Sequence, residues 1–395
     1  MPALADQRVL VLHNRYRQVG GEERFVAQLV DLLRRRAGSV ELLERVSAET
    51  GAAAAARGLV RGGLDPDEVA AAVERSGATI VHAHNLHPTF GWRALAAARE
   101  AGAATVLHLH NYRLFCAIGI AYRDGHDCTE CAPDRTARGV LHNCRGSLPE
   151  SIAYAVGLRR AQPKLAASVD RFVAPVRQVA DDLCALGLDV PVSVLPTWLP
   201  DVDFANESNA GGGEYALYVG RATAEKGLFV AVEAAAESGV PLRVAGNGPD
   251  IQRAIELANK LEAPVDFMGQ IDGQAMVAAR MGAAFCILPS LWREVLPFAA
   301  LEALAAGLPL IVSERGGLPE LTERPLVVPA GDAGALAATM ASLYADRDAR
   351  AQAGARSLAR ARELFSEDVF AGRLEELYAQ ASGVAASSVA SAQSH

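Results

Sequence analysis

The chain is poor in lysine, in aromatic side chains and in long apolar runs. Lysine occurs only at positions 164, 226 and 260, within a total of 38 basic residues. The formal net charge of -8 argues against nucleic acid as a partner, because a polyanion would be repelled. No apolar run approaches the roughly 20 residues that a membrane-spanning helix needs. The one short apolar run near the start, Val9 to Leu12, is too brief for a signal peptide, so a cytoplasmic protein is expected. There is no GxGxxG, so no dinucleotide site of that kind is expected. The 6 cysteines then read as thiols or metal ligands, since a reducing compartment disfavours disulfides. What remains is a soluble globular composition, 51% hydrophobic and 21% charged, and 395 residues are enough for two domains.

One stretch, Ser290 to Ser313, organises the rest. The apolar run Ala284 to Leu288 predicts a short buried strand closed by Pro289. Pro297 suits the first turn of a helix, where its missing N–H would be unpaired anyway. That helix is expected to run to Ala306 and stop at Gly307, with Leu310-Ile-Val opening the next strand. Glu294 lies in the loop and Glu302 inside the helix. Amides at a helix start favour an anion, and a carboxylate further along can accept hydroxyl protons. The layout suits a ligand carrying both phosphate and sugar hydroxyls. Taken alone, both carboxylates read as solvated helix-face charges.

Glu294-x7-Glu302, then Gly307-x-Pro309 and Gly316-Gly317-x-Pro319-Glu320, resembles the donor-binding signature of family 4 retaining glycosyltransferases, which have the GT-B fold. The resemblance covers most of the chain. It implies an α/β architecture of two Rossmann-like, doubly wound parallel-sheet domains facing across a cleft. Arg221-Ala-Thr-Ala-Glu-Lys226-Gly227, placed between an expected strand and helix, resembles the family's diphosphate site. There Arg would offer a fork and Lys a point charge to phosphate oxygens. Gly246-Asn247-Gly248-Pro249 matches the family's next Gly turn. His110, in the context His-Asn-Tyr-Arg, resembles the histidine that lies against the transferred sugar. By the same resemblance Glu294 would bind donor-sugar hydroxyls, Glu302 the ribose, and Leu296, Pro297 and Phe298 the donor through their backbone. Many relatives have Gly where this chain has Pro297, and proline has no N–H, so donation would fall to Phe298 and Ala299. Gly20-Gly21, between the first strand and first helix, is expected to let a backbone approach the donor; by itself it also fits a tight turn.

The order of elements gives the expected domains. Strands at 8–12, 79–84 and 105–110 alternate with helices, as in parallel βαβ units. Residues 1–197 form the acceptor-side domain, 198–213 a Pro-, Asn- and Gly-rich linker, and 214–365 the nucleotide-sugar domain. A terminal helix at 366–381 would return to the first domain in a GT-B fold, and the Ser/Ala-rich tail 382–395 is expected to be disordered. Residues 111–147 form a Cys-rich insert with the pattern C-x11-C-x2-C-x12-C at Cys116, Cys128, Cys131 and Cys144. A structural zinc site and four unligated thiols both fit that pattern. Cys184 and Cys286 read as core residues. Arg34-Arg35-Arg36 complements the dipole of the first helix, as a solvated face or as a membrane contact.

The function expected from the resemblance is transfer of a sugar from a nucleotide-diphosphate donor to a hydroxyl acceptor, with retention and without a catalytic divalent metal. The acceptor would be a sugar, a lipid-linked molecule or a small molecule, in polysaccharide, glycolipid or natural-product biosynthesis. A lipid-borne acceptor would place the protein at the inner face of the membrane. Two other classes stay open. One is a nucleotide-sugar epimerase or non-catalytic binder on the same fold. The other is a metallohydrolase using the pairs His82/His84 and His108/His110, although no carboxylate follows at a useful spacing and eight βα units are lacking.

Overall fold

The structure, a computed structural model, describes residues 3–16 and 20–392. Residues 17–19, just before the Gly20-Gly21 pair, and 393–395 of the expected tail lie outside the described residues. The chain divides into two compact units. The first holds the residues up to Ala121, Cys128–Leu195 and the segment from Ala371; the second holds Tyr122–Asp127 and Pro196–Phe370.

The strands, in chain order, are β1 Arg8–Arg15, β2 Ser39–Val46, β3 Ile80–Ala83, β4 Ala104–His108, β5 Tyr122–Arg123, β6 His126–Asp127, β7 Arg171–Ala174, β8 Val192–Val194, β9 Tyr215–Val219, β10 Leu242–Ala245, β11 Val265–Gly269, β12 Ala283–Leu288, β13 Leu310–Ser313 and β14 Val327–Val328. The first unit carries a 6-stranded sheet in the order β2-β1-β3-β4-β7-β8, and the second a 6-stranded sheet in the order β11-β10-β9-β12-β13-β14. Every ladder in both sheets is parallel. β5 and β6 form a separate antiparallel hairpin.

Both faces of the second sheet are covered, and the strand sequences follow from that. Ala216, Tyr218, Phe285, Ile287 and Ile311 point into one core cluster, and their neighbours Leu217, Cys286, Leu288, Leu310 and Val312 into another. A strand buried on two faces has no polar side, so it reads as a continuous apolar run rather than an alternation. In each sheet the chain begins in the interior and later reverses direction, between β1 and β3 and between β9 and β12. Such reversals are where ligands settle in open parallel sheets, beyond the carboxyl ends of the strands.

Several expectations need correction. Residues 198–213 are not a free linker. Trp198 is buried and stacked on Phe370, Leu199 bridges to Ser366, and Ala210 sits in the second unit's core. Their apolar side chains outweigh the surrounding turn residues. The 382–395 tail is not irregular throughout, because the helix that begins at Glu367 continues to Ala392. Alanine has high helix propensity, and neither Gly nor Pro interrupts the chain after Gly383. From Ala371 this helix groups with the first unit. The helix after Pro297 spans Phe298–Ala305, with Pro297 at its N-cap. Cys184 is exposed at the end of the helix Arg177–Ala185, while Cys286 is buried. Among the described residues, no helix is long and apolar enough to cross a membrane.

Candidate functional site

In the second unit the loops following β9 and β12 run side by side, joined by a hydrogen bond from the Leu291 amide to the Glu225 carbonyl at 2.9 Å. This juxtaposition brings together residues that are far apart in sequence. Lys226 Nζ lies 2.5 Å from Glu294 Oε1. The Ser290 hydroxyl and the Trp292 indole N–H donate to the same oxygen, each at 2.8 Å. Lys226 also sits 4.8 Å over the Trp292 ring. The Glu294 side chain is 6% exposed and that of Lys226 18%. A buried carboxylate needs such donors to offset lost hydration. All three converge on Oε1.

Two glycines permit this approach of loops. A Cβ on Gly227, at φ 74°, would fall 1.9 Å from the Pro289 carbonyl oxygen. One on Gly316, at φ 55°, would fall 2.1 Å from the Glu294 carbonyl oxygen, which accepts a hydrogen bond from the Gly317 amide at 2.8 Å. The Gly-Gly motif therefore supports the Glu294 loop from behind.

Arg221 lies in the same loop as Lys226 but is more open, 63% exposed, with Glu225 at 3.5 Å. The loop is pinned by the Tyr218 hydroxyl, placed 3.2 Å from the Arg221 carbonyl and 3.3 Å from that of Lys226. Gly246 and Asn247 form its shoulder, with the Asn247 carbonyl accepting from Ala222 N–H at 3.0 Å. Leu296 and Phe298 pack their side chains against the core. Glu302 is mostly buried and ion-paired with Arg280, a partner that sequence spacing did not signal. Two further residues went unforeseen. Arg293 and Arg315, the neighbours of Glu294 and Gly316, both reach Asp127 of the β5–β6 hairpin at 3.2 Å.

In the first unit, register builds a face of imidazoles. His82 pairs with Val106 and with Val11, so side-chain alternation sets His84 level with His108 and with His13. His82 and His84 stack at 4.6 Å, and His108 and His110 at 4.3 Å, with Phe25 of the helix Gly21–Arg36 against them. Burial pushes His13 down to about 4 and His82 and His110 to about 3. It also holds His84 and His108 well below the usual histidine range, with neighbouring imidazoles adding to the effect. Glu22, which lines a small cavity with His84 and His110, is pushed up to about 8, first by burial and then by the charge of Glu23. Gly20 caps this helix, and its amide is taken by Glu23 Oε2 at 2.8 Å rather than left for a ligand. Gly21 is the first helical residue.

The cysteines of the insert are all half-buried. Burial pushes the Cys131 thiol up to about 11, and Cys116, Cys144 and Cys128 each push in the same direction, while the Gly139 amide opposes them. The quartet therefore shares one neighbourhood. Among the described residues, the grouping of three ligand atoms within 4.8 Å of one another is His82, His84 and His108, not the cysteines.

Residues 201–360 match the family model described as glycosyl transferases group 1. The amylovoran biosynthesis glycosyltransferase AmsK of Erwinia amylovora is 35% identical over 143 residues, covering 32% of this chain and 35% of its own. Glycogen synthase of Mycobacterium tuberculosis is 36% identical over 124 residues, covering 30% of each. The matched segments thus span about a third of these relatives' lengths. Sucrose-phosphate synthase from Thermosynechococcus elongatus aligns over 95% of this chain and 98% of its own, at TM-score 0.70 and 18% identity. Anabaena HepE in complex with UDP-glucose aligns over 94% of this chain and 99% of its own, at TM-score 0.66 and 15% identity.

Proposed function

With a group 1 glycosyl transferase domain across residues 201–360 on a GT-B fold, we propose that the protein moves a sugar from a nucleoside diphosphate donor to an acceptor hydroxyl with retention of configuration, in polysaccharide assembly. The observation that carries this reading is the Lys226–Glu294 pair at the reversal of the second sheet. A cation and a carboxylate held together by two adjoining loops suit a ligand with phosphate at one end and hydroxyls at the other. Lys226 and Arg221 hold the diphosphate. The first turn after Pro297 adds its dipole to the same negative charge. Glu294 accepts from donor-sugar hydroxyls, and Glu302, oriented by Arg280, accepts from the ribose. The leaving diphosphate is stabilised by these fixed charges, so no divalent ion is assigned a step.

Chemistry then proceeds on one face of the sugar. The acceptor oxygen bonds to the anomeric carbon as the bond to the β-phosphate oxygen breaks. The acceptor proton passes to that leaving oxygen. The relatives named for amylovoran and glycogen synthesis, and the neighbour bound to UDP-glucose, support polymer assembly and a uridine donor. The four cysteines hold a structural zinc in this reading. Calorimetric titration with UDP-, GDP-, ADP- and TDP-sugars tests the proposal. Binding of one of them that Lys226→Ala weakens supports it; no binding of any, or binding indifferent to Lys226→Ala, overturns it.

A further inference from the structure

We infer that His82, His84 and His108 form a metal site in the first unit, apart from the Lys226–Glu294 pair of the second unit. The three offer ligand atoms within 4.8 Å of one another. Each residue is almost wholly buried, at 0%, 2% and 1% exposure. His82 Nε2, His84 Nε2 and both ring nitrogens of His108 find no hydrogen-bond partner. Buried polar atoms without partners are rare and costly, and several in one place need a common explanation.

The surroundings prepare the correct nitrogens. Tyr378 OH lies 2.9 Å from His82 Nδ1, and His110 Nε2 lies 3.0 Å from His84 Nδ1. With Nδ1–H donating to these partners, the lone pair of each ring moves to Nε2. This is how histidine ligands are oriented in known metal centres, where a second hydrogen bond fixes the tautomer. A neutral imidazole is a good ligand for zinc, cobalt, nickel or copper. Three imidazoles leave a fourth position. His84 and His108 also line a cavity of about 30 Å³, room enough for one water molecule. Bonds of roughly 2.0–2.1 Å require the rings to tilt and draw their nitrogens closer. The ion would tie β3 to β4 and, through Tyr378, to the helix Glu367–Ala392.

Cobalt(II) provides the test, since its visible spectrum reports coordination number and its near-ultraviolet spectrum reports thiolate ligands. Full-length protein carrying Cys131→Ser, to remove the cysteine set, is refolded with excess cobalt(II) and desalted. The expected result is one retained equivalent with an intense four-coordinate visible band and no thiolate charge-transfer band. His82→Gln and His108→Gln should each abolish it. Tyr378→Phe, which keeps the ring and its packing, should weaken binding by about 10–100-fold. No retained cobalt in the Cys131→Ser chain overturns the inference. So does retention that is unchanged in the His82→Gln and His108→Gln chains, or affinity unchanged in Tyr378→Phe.

Discussion

A single side chain can carry a measurable share of the pH response. His13 is 1% exposed, and its folded value is lowered to about 4 from the ordinary 6.5. Burial is the largest cause; Glu23 opposes it and Arg15 assists it. The unfolded chain therefore binds a proton below about pH 6.5 that the folded chain refuses until about pH 4. His13 is neutral in both states above that window, and its contribution to stability falls as pH drops through it. Between pH 7 and pH 5 this costs about 2 kcal/mol. Urea unfolding of His13→Gln should show a correspondingly shallower loss over that range; an identical pH dependence would contradict the assignment. Glu302 offers a second residue-scale test. Glu302→Gln keeps the shape but removes the charge opposite Arg280, and it should weaken donor binding about 10-fold, near 1.4 kcal/mol. Calorimetry giving wild-type affinity would remove Glu302 from the site. The placing of Glu294 in a loop and of Glu302 within the following helix was legible because proline and glycine punctuate that strand, loop and helix. Arg280 was not, because its pairing depends on how two helices of the second unit lie together, which no local spacing encodes.

At the scale of elements, the loop after β12 depends on the one after β13. Gly316 at φ 55° leaves no room for a Cβ beside the Glu294 carbonyl. Gly316→Ala should cost about 1–3 kcal/mol in urea unfolding and displace Glu294, so transfer activity should fall more than stability does. Full activity in the variant would mean that this support is dispensable. The Cys-rich insert is the other element that invites a measurement. A tight stoichiometric zinc, lost with a drop in Tm in Cys131→Ser, is the expected outcome; a wild-type chain that carries no metal and keeps its Tm under chelator would leave four plain thiols. Legibility also varied by element. The strands of the sheet interiors announced themselves as apolar runs. β2 did not, because Ser39–Val46 is an edge strand carrying Glu41, Glu44 and Arg45, and one-sided burial breaks the run. The β5–β6 hairpin was hidden for another reason: two residues per strand are too few to show a period.

At the scale of the molecule, parallel βαβ order was readable from alternating strands and helices, but the ownership of segments was not. Composition marked 198–213 as a tether, yet Trp198 and Leu199 are core residues, and only their partners Phe370 and Ser366, far along the chain, reveal it. The two His-x-His pairs stood out in the sequence, but their union with His13 in one face of five imidazoles did not, since it arises from the register of three neighbouring strands. Ligand linkage should reveal the two-unit construction. A nucleotide sugar bound by the second unit at 100 times its Kd adds about 2.7 kcal/mol to that unit alone. Calorimetric scans should then show one transition moving up with donor and another staying in place; a single transition that shifts as a whole would mean that the units unfold as one. The segment from Ala371 has a consequence for biosynthesis. It is translated after the second unit's last residue, Phe370, yet it supplies Tyr378 and Glu375 to the first unit. The half that leaves the ribosome first is thus the last to be finished, and it waits, short of one helix, while the later half closes on itself.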